Sequence, residues 1–276
     1  MIIVKPTSGL CNRMRVIDSC ISVQRNSLKK HPIKMIWEKN EHLNCSFEQL
    51  FEPIDNIGLV STNSYLSYYL YYRDRRVSGL KTLIKKKLYN LLSKNYQFFD
   101  DSNIQKVAYN HDYWNESRHD FVIHSCIDFY SPELRNASSF KPVLKLQNLI
   151  NKEVSKFSKP TTGIHIRRTD NTKSIDKSAT DLFLKQIDQS LNIDDNQFFY
   201  VATDDEKEES FLKSAFGEHI LTQENKELNR NSPKGIEDAL VDLYSLSQTK
   251  IIWGSYWSSF SKTAAGLTQI PLKIIA

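Results

Sequence analysis

The chain has 276 residues, of which 40% are hydrophobic and 25% are charged, and its formal net charge is +5. Its length allows one large domain or two domains of roughly 100–150 residues each, and its composition is typical of a soluble globular protein. No stretch approaches the roughly 20 apolar residues of a membrane-spanning helix, and no nucleic-acid-binding motif accompanies the mild positive charge. The first residues lack a secretory pattern and the four cysteines form no CxxC pair, so we expect a cytoplasmic protein without a zinc site.

The N-terminal half begins with an alternation of strands and helices. β-Branched residues predict a strand at Ile2–Lys5, Ser8-Gly9-Leu10 predicts a turn, and apolar residues recur at helical spacing from Arg13 to Leu28. Ile33–Trp37 predicts the next strand and completes a strand–helix–strand unit of the type that builds parallel sheets. A further strand is predicted at Phe121–Ser125.

Residues 61–100 interrupt this alternation with a tyrosine-rich stretch and a basic helical pattern. From Leu80 onward, leucine and isoleucine recur on one helical face, and five lysines between residues 81 and 94 occupy much of the remainder. A surface helix with a solvated lysine face is the simpler interpretation. The alternative is a peripheral contact of residues 80–94 with an anionic membrane at its inner face, or with a lipid-linked acceptor.

The C-terminal half returns to a regular alternation after a polar connection that contains Pro132 and Pro142. Strands are predicted at 162–166, 197–202, 219–221 and 251–253, and helices at 144–154, 180–191, 206–216, 235–247 and 258–267. We therefore predict an α/β protein with two Rossmann-like domains facing across a cleft, the first at 1–150 and the second at 151–276. Ligands of such folds lie beyond the carboxyl ends of the strands.

Polar side chains suited to bind an anion follow three strands of the second domain. Arg167 and Arg168 end the first of these strands, and their planar guanidinium groups suit a diphosphate, although ion pairs with nearby acids explain an arginine pair equally well. Thr203-Asp204-Asp205 follows the next strand, where helix capping explains at least one of the two acids. A serine cluster at the start of the last helix suits a phosphate group, because helix N-termini bind anions. Its members are Ser255, Ser258 and Ser259.

Together these segments resemble the α1,6-fucosyltransferases, GT-B glycosyltransferases that include the core fucosyltransferase of N-glycans and the nodulation fucosyltransferases. GIHIRRTD at 163–170 is similar to the family's HxRRxD motif, FYVATDDEKEESFLKSAFG at 199–217 to its second motif, and KGIEDALVDLYSLSQTKIIWGSYWSSFSKTAAGL at 234–267 to its third. The three occur in family order over residues 160–267. GLCNRMRVI at 9–17 resembles a loop of related protein O-fucosyltransferase-like proteins, whereas residues 40–150 match no part of the family.

The resemblance implies an inverting transfer of fucose from GDP-fucose and assigns roles position by position. Arg167 would hold the diphosphate and stabilise the charge that develops on the leaving GDP. His165 and Asp242 would recognise guanine and its ribose, and Ser258 would donate to the β-phosphate. The remaining donor-site residues that it implies are Arg168, Ser259, Asp204 and Asp205 in the second domain, with Asn12 and Arg13 reaching the diphosphate from the first.

The sequence departs from the family at the general base. The family's proposed glutamate corresponds to Ile175, so Asp176, with Lys173 close by, is the candidate base, and an ordinary loop acid is the alternative. Arginine, serine and a helix dipole aimed at the phosphate can replace a divalent metal. We therefore expect no metal and no cofactor beyond the donor substrate.

The acceptor is expected to be an oligosaccharide, a surface glycan or a lipid-linked glycan. Two alternatives stay open: a transferase that uses another GDP-sugar or a peptide hydroxyl, and a non-catalytic protein that binds a nucleotide sugar. Tryptophans also bind sugars, and Trp114, Trp253 and Trp257 could each stack on a sugar ring, although core packing is the more common role of tryptophan.

Overall fold

The structure is a computed structural model that describes residues 1–60, 96–157, 159–169 and 172–276. The tyrosine-rich stretch, the basic pattern at 80–94 with its expected membrane contact, and Asp170 lie outside the described residues. The chain forms two compact units, which are described separately. Unit 1 comprises Met1–Asn40 and Pro53–Phe140, and unit 2 comprises Glu41–Glu52 and Lys141–Ala276.

The described helices and strands follow one another in an order close to the predicted one. In chain order they are β1 (Ile2–Pro6), α1 (Leu10–Asn26), β2 (Ile33–Met35), α2 (Phe47–Leu50), β3 (Ile57–Leu59), β4 (Tyr96–Asp100), α3 (His111–Glu116), β5 (Asp120–Ser125), α4 (Leu144–Val154), β6 (Thr161–Ile166), α5 (Thr172–Lys177), α6 (Thr180–Ile193), β7 (Phe198–Thr203), α7 (Glu206–Phe216), β8 (Ile220–Leu221), α8 (Pro233–Ser247), β9 (Ile251–Ser255), α9 (Ser259–Thr268) and β10 (Leu272–Ile275).

Within the described part of unit 1, five parallel strands form one sheet in the order β3-β2-β1-β5-β4. The central strand β1 pairs with β2 on one side and β5 on the other, and most of its residues are buried. Helix α1 buries residues along most of its length, including Met14, Ile17 and Ile21. The apolar strand and the helical period of α1 therefore build a parallel α/β layer, as the sequence predicts.

The described part of unit 2 forms a second parallel sheet in the order β10-β9-β6-β7-β8. All six residues of β6 are buried, as expected for the central strand of a sheet covered on both faces. Ile164, Phe183, Phe199 and Leu212 belong to one continuous hydrophobic cluster. The chain moves from β6 through β7 to β8 and then returns to β9 on the opposite side of β6. This reversal creates a topological switch point between β6 and β9, where open α/β sheets bind their ligands.

The division between the units differs from the predicted boundary at residue 150. Helix α4 contains that residue, buries Leu146 and Ile150, and packs against α8 of unit 2. The segment around α2 joins the same unit, because the Val143 N–H donates to the Leu50 carbonyl at 3.1 Å and the Glu52 N–H donates to the Lys141 carbonyl at 2.8 Å. The second segment of unit 2 therefore starts at Lys141 and includes all of α4.

None of the helices in the described ranges combines the length and the apolar character that a membrane crossing requires.

Candidate functional site

The switch point of unit 2 brings together the ends of β6 and β9. The Ser255 hydroxyl, which is fully buried, accepts a hydrogen bond from the Arg167 N–H at 3.1 Å and donates one to the His165 carbonyl at 3.3 Å. One serine therefore fixes the backbone from which the Arg167 side chain extends. The sequence indicated Ser255 as a phosphate donor, and the structure gives it this scaffolding contact.

Asp204, just beyond the end of β7, organises the arginine segment. Its carboxylate pairs with Nη1 of Arg167 at 2.8 Å, and it accepts hydrogen bonds from the Arg168 N–H at 2.8 Å and the Thr169 hydroxyl at 2.6 Å. Nη2 of Arg230 lies 3.5 Å from the same carboxylate. Burial alone would raise the pKa of Asp204, but Arg167 and the hydrogen bonds from Thr169 and Arg168 hold it below its ordinary value. Asp204 is therefore ionised at neutral pH and orients Arg167.

Arg168 points to a different set of partners. Its Nη2 donates to Glu208 at 3.1 Å and to the Thr180 hydroxyl at 3.0 Å, and the Arg168 and Glu208 side chains are each only 11% exposed. The Thr180 hydroxyl also donates to Glu208 at 2.7 Å. Arg168 thus joins the end of β6 to the first turns of α6 and α7, and its part in the donor site stays a prediction.

His165 contributes a buried neutral ring beneath the site. The imidazole stacks on Phe260 of α9 with 4.7 Å between ring centroids, and its Nδ1 has no hydrogen-bond partner among the described residues. Burial, with smaller contributions from Arg167 and Arg168, lowers the pKa of His165 to about 3. The imidazole is therefore neutral at neutral pH, and its role in guanine recognition stays a prediction.

The start of α9 is the second feature of the site that is suited to an anion. Ser258 caps this helix, because its hydroxyl accepts from the Phe260 N–H at 3.3 Å, and Ser259 is the first residue of the helix. The helix follows β9 directly, so its N-terminus lies at the same sheet edge as Arg167. Backbone N–H groups at a helix start attract phosphate oxygens.

The two acids of the Thr203-Asp204-Asp205 motif have separate roles. Asp205 caps α7 and accepts from the Lys207 and Glu208 N–H groups at 2.8 and 3.4 Å, whereas Asp204 binds the arginine segment. The expectation that capping explains at least one of the acids is therefore met by Asp205.

Asp242 lies apart from the sheet edge. It accepts hydrogen bonds from the Tyr200 hydroxyl at 2.7 Å and from Nζ of Lys226 at 3.2 Å, and Lys226 also pairs with Glu209 at 2.8 Å. Burial alone would lower the pKa of Lys226, but the carboxylates of Asp242 and Glu209 raise it. Tyr200 stands in the middle of β7, so Asp242 faces the body of the sheet in a buried ion pair. Its role in guanine recognition stays a prediction.

The candidate base and its neighbour lie on α5. Lys173, Ile175 and Asp176 are exposed, and Nζ of Lys173 lies over the Trp257 ring, 4.7 Å from its centroid. The Ser174 hydroxyl reaches the Arg167 carbonyl at 3.5 Å and so connects α5 to the site. Asp176 is accessible to an acceptor, and its role as the general base stays a prediction.

Asn12 and Arg13 lie at the start of α1 in unit 1. Arg13 is fully buried, and its guanidinium donates to the carbonyls of Ser8 at 2.8 Å and Glu38 at 2.6 Å. It also stacks over Trp37 at 5.0 Å, and burial lowers its pKa to about 10. The Asn12 amide donates to the Ser8 hydroxyl at 3.1 Å. Both side chains hold the loop after β1 in place through Ser8, and their contact with a diphosphate stays a prediction.

Among the residues that the structure describes, no three His, Cys, Asp or Glu side chains are grouped to hold a metal ion. Metal independence stays a prediction, and the donor-binding experiment below tests it.

The sequence reasoning missed several residues that complete the site. Glu208, Thr180, Phe260 and Arg230 each contact a predicted residue, but they lie 12 to 95 positions away from it, as the numbering shows. Of these four, only Glu208 could have been recognised from the local sequence. It stands three residues after the Asp205 cap, where a glutamate often completes a capping box. The other contacts depend on how the strands are ordered in the sheet.

The sequence matches no protein-family model and no curated protein. Comparison with solved structures does find relatives in fold. The α-1,6-fucosyltransferase NodZ soaked with GDP-fucose aligns with 96% of this chain and 92% of its own, at a TM-score of 0.61 and 13% identity. POFUT1 in complex with GDP-fucose aligns over 100% and 98%, at a TM-score of 0.55 and 13% identity. Arabidopsis thaliana FUT1 in complex with GDP aligns over 99% and 69%, at a TM-score of 0.58 and 14% identity.

At this level of identity the similarity concerns the fold. The two parallel α/β units and these fucosyltransferase neighbours confirm the predicted GT-B fold class with Rossmann-like domains. The neighbours are the type of protein that the sequence motifs suggested, and several of them were solved with GDP or GDP-fucose bound.

Proposed function

We propose that the chain is an inverting glycosyltransferase that moves fucose from GDP-fucose to a hydroxyl group of an oligosaccharide, surface-glycan or lipid-linked acceptor. The observation that carries the proposal is the arrangement of Arg167. Ser255 and Asp204 orient this arginine at the sheet edge where α9 begins with its Ser258 cap. A guanidinium and a helix N-terminus at one edge form a site for a diphosphate.

The chemistry follows from this charge arrangement. The bond between the fucose C1 and the β-phosphate oxygen breaks, the acceptor oxygen bonds to C1 from the opposite face, and the acceptor proton passes to a base. Negative charge grows on GDP during the reaction, and Arg167 with the α9 N-terminus stabilises it more in the transition state than in the ground state. Asp176 is the proposed base, since it is an exposed carboxylate on the helix that Ser174 connects to the site.

Calorimetric titration with GDP and GDP-fucose in the presence of EDTA tests the donor site. We expect micromolar binding that survives chelation and a loss of at least tenfold in affinity for Arg167→Ala. Lys185→Ala is the matched control, because it removes one positive charge from an exposed position on α6 of the same unit. An absence of GDP binding by the wild type, or an equal loss in the control, would contradict the proposal. Loss of binding with EDTA would contradict metal independence.

The choice of donor sugar and the catalytic competence are tested separately. GDP-mannose and UDP-sugars compete against GDP-fucose in the same titration, and we expect GDP-fucose to bind best. Release of free fucose measures turnover with water as the acceptor. Binding of GDP-fucose without turnover on water or on any acceptor would support the alternative of a non-catalytic nucleotide-sugar-binding protein, for which the isoleucine at position 175 is the motivating feature.

A further inference from the structure

The four tryptophans of the chain differ sharply in exposure. Trp37, Trp114 and Trp253 are buried, at 6%, 0% and 7% exposure, and they pack in the cores of their units. Trp257 is 65% exposed. Exposing a large indole forgoes the favourable burial that the other three gain, and it leaves the face of the Trp257 ring accessible to a ligand.

The backbone at Trp257 is held in a shape that presents this side chain. Its φ is +55°, in the left-handed region that a bulky residue seldom adopts. The segment is secured on both sides: the Ser178 hydroxyl accepts from the Tyr256 N–H at 2.8 Å, and the Ser258 hydroxyl caps α9. The same Ser178 hydroxyl donates to the Ile275 carbonyl of β10. A strained residue fixed by its neighbours is common at ligand sites.

Trp257 also lies beside the residues of the donor site. It stands two positions after Ser255, which binds the Arg167 N–H, so its Cα lies within about 8 Å of the Ser255 Cα. Nζ of Lys173 lies over the indole, 4.7 Å from the ring centroid, which is a cation–π distance. The pair thus combines an apolar face with N–H donors beside the residues of the proposed donor site.

We propose that Trp257 and Lys173 form the platform that binds the acceptor. A pyranose ring of the acceptor displaces the Lys173 ammonium from above the indole and stacks its C–H face there, and the displaced ammonium donates a hydrogen bond to a hydroxyl group of the same sugar. The proposal rests on the proposed function and deepens it, because it names the residues that recognise the acceptor sugar. Lys173 then acts in binding and not in proton transfer.

Sugar is the ligand that best fits this combination of groups. A pyranose has one face of C–H bonds and a rim of hydroxyls, so it needs an aromatic surface and a polar donor side by side. Lys173, charged and exposed beside the indole, supplies that polar donor.

Acrylamide quenching of tryptophan fluorescence tests the platform directly. The difference between wild type and Trp257→Phe isolates the Trp257 emission, which is expected to be accessible to acrylamide while the three buried tryptophans are shielded. The probes are free oligosaccharides of glucose, galactose, mannose and N-acetylglucosamine, each titrated with and without saturating GDP, with glycerol as the viscosity control. We expect at least one saccharide to protect Trp257 at least twofold and saturably, and Lys173→Gln to weaken that affinity several-fold.

Protection of Trp257 by none of the saccharides, with GDP bound, overturns the platform. Failure of GDP itself to bind instead contradicts the proposed function, so the two failures are distinguishable. For a saccharide that protects, transfer kinetics provide a second readout. Trp257→Ala is expected to raise the acceptor KM at least tenfold and Trp257→Phe about threefold or less, whereas Phe211→Ala, an exposed aromatic on α7, leaves it unchanged. An unchanged acceptor KM in Trp257→Ala would also overturn the platform.

Discussion

Two adjacent arginines at the end of β6 carry the same charge and have different tasks. Arg167 is fixed through its backbone by Ser255 and through one nitrogen by Asp204, whereas the guanidinium of Arg168 contacts Glu208 and Thr180 within the protein. Sequence alone treats the pair as equivalent, since both residues extend the same strand. The difference arises from the partners that the fold brings to each side chain, Asp204 for Arg167 and Glu208 for Arg168.

This difference predicts separate effects of the two alanine substitutions. Arg168→Ala leaves Glu208 without its cation in a largely buried position, so we expect the free energy of unfolding to fall by about 1–3 kcal/mol. Urea unfolding measures this change. In Arg168→Ala/Glu208→Ala the loss should be smaller than the sum of the single losses, because residues in direct contact are coupled. Additive losses would show that the ion pair between Arg168 and Glu208 contributes nothing to the free energy of unfolding.

At this scale the sequence identified the residue types but not their partners. The arginine pair, the two acids and the serines were all recognisable as candidates at strand ends. The acid that pairs with Arg167 could not be identified from sequence, because Asp204 and Asp205 are neighbours. Only the structure shows that Asp204 pairs with Arg167 and that Asp205 caps a helix. Asp242 illustrates the same limit, since its partner Lys226 lies in an irregular connection without periodicity.

Helix α9 is the element whose N-terminus is proposed to bind phosphate, and a second capped helix supplies its control. Ser258→Ala and Ser232→Ala each remove a hydroxyl that caps a helix of unit 2, and each should cost about 1 kcal/mol of unfolding free energy. Only Ser258→Ala should also weaken GDP binding several-fold, because the α9 N-terminus lies at the edge with Arg167. Thermal unfolding and calorimetry measure both quantities. Equal GDP affinity in the two variants would show that the Ser258 hydroxyl caps α9 without contributing to GDP binding.

Close packing between β9 and α9 gives a second prediction for these elements. A Cβ built on Gly254 would lie 2.6 Å from the Cβ of Ser261, which is closer than real Cβ atoms approach. Gly254→Ala must therefore push α9 away from the strand, and we expect a loss of about 1–3 kcal/mol in unfolding free energy. Adding Ser261→Gly should restore part of that loss, which denaturant titration can detect. At Gly9, where nothing lies within 4 Å of the added Cβ, the alanine variant should not lose stability through crowding.

The long helices were predictable, whereas several of the short elements were missed, although the short strands β2 and β8 were predicted. Helices α4 and α7 were predicted with the bounds that the structure has, because their apolar residues recur over several turns. The three-residue strand β3 and the terminal strand β10 were missed, since neither is long enough to establish a period. Tyr96–Asp100 was missed because it follows a stretch that reads as helix.

For the whole molecule, the alternation of strands and helices predicted two parallel α/β units. It did not predict that residues 41–52 belong with the C-terminal unit. That segment joins unit 2 through long-range contacts, such as the isolated bridge between Phe51 and Pro142, and no local pattern encodes them. The predicted boundary at residue 150 lies inside α4, a helix that the structure assigns whole to unit 2.

Each unit also contains one buried histidine that stays neutral, and together they predict how the stability of the whole chain depends on pH. Burial lowers the pKa of His31 to about 4 and that of His165 to about 3, whereas an unfolded histidine titrates near 6.5. Between these values the unfolded chain binds more protons than the native one, so the unfolding free energy falls as the pH drops below about 6.5. Each histidine contributes a slope of at most about 1.4 kcal/mol per pH unit.

Urea unfolding of wild type and His31→Gln/His165→Gln between pH 7 and pH 4.5 measures that slope. The double variant should lose stability less steeply on acidification, whatever its absolute stability at pH 7, because glutamine takes up no proton in either state. His119→Gln, at an exposed position, should keep the wild-type slope. If the unfolding free energies of the double variant and the wild type change in parallel with pH, both histidines titrate alike in the native and unfolded states. Burial would then not lower the pKa of either histidine.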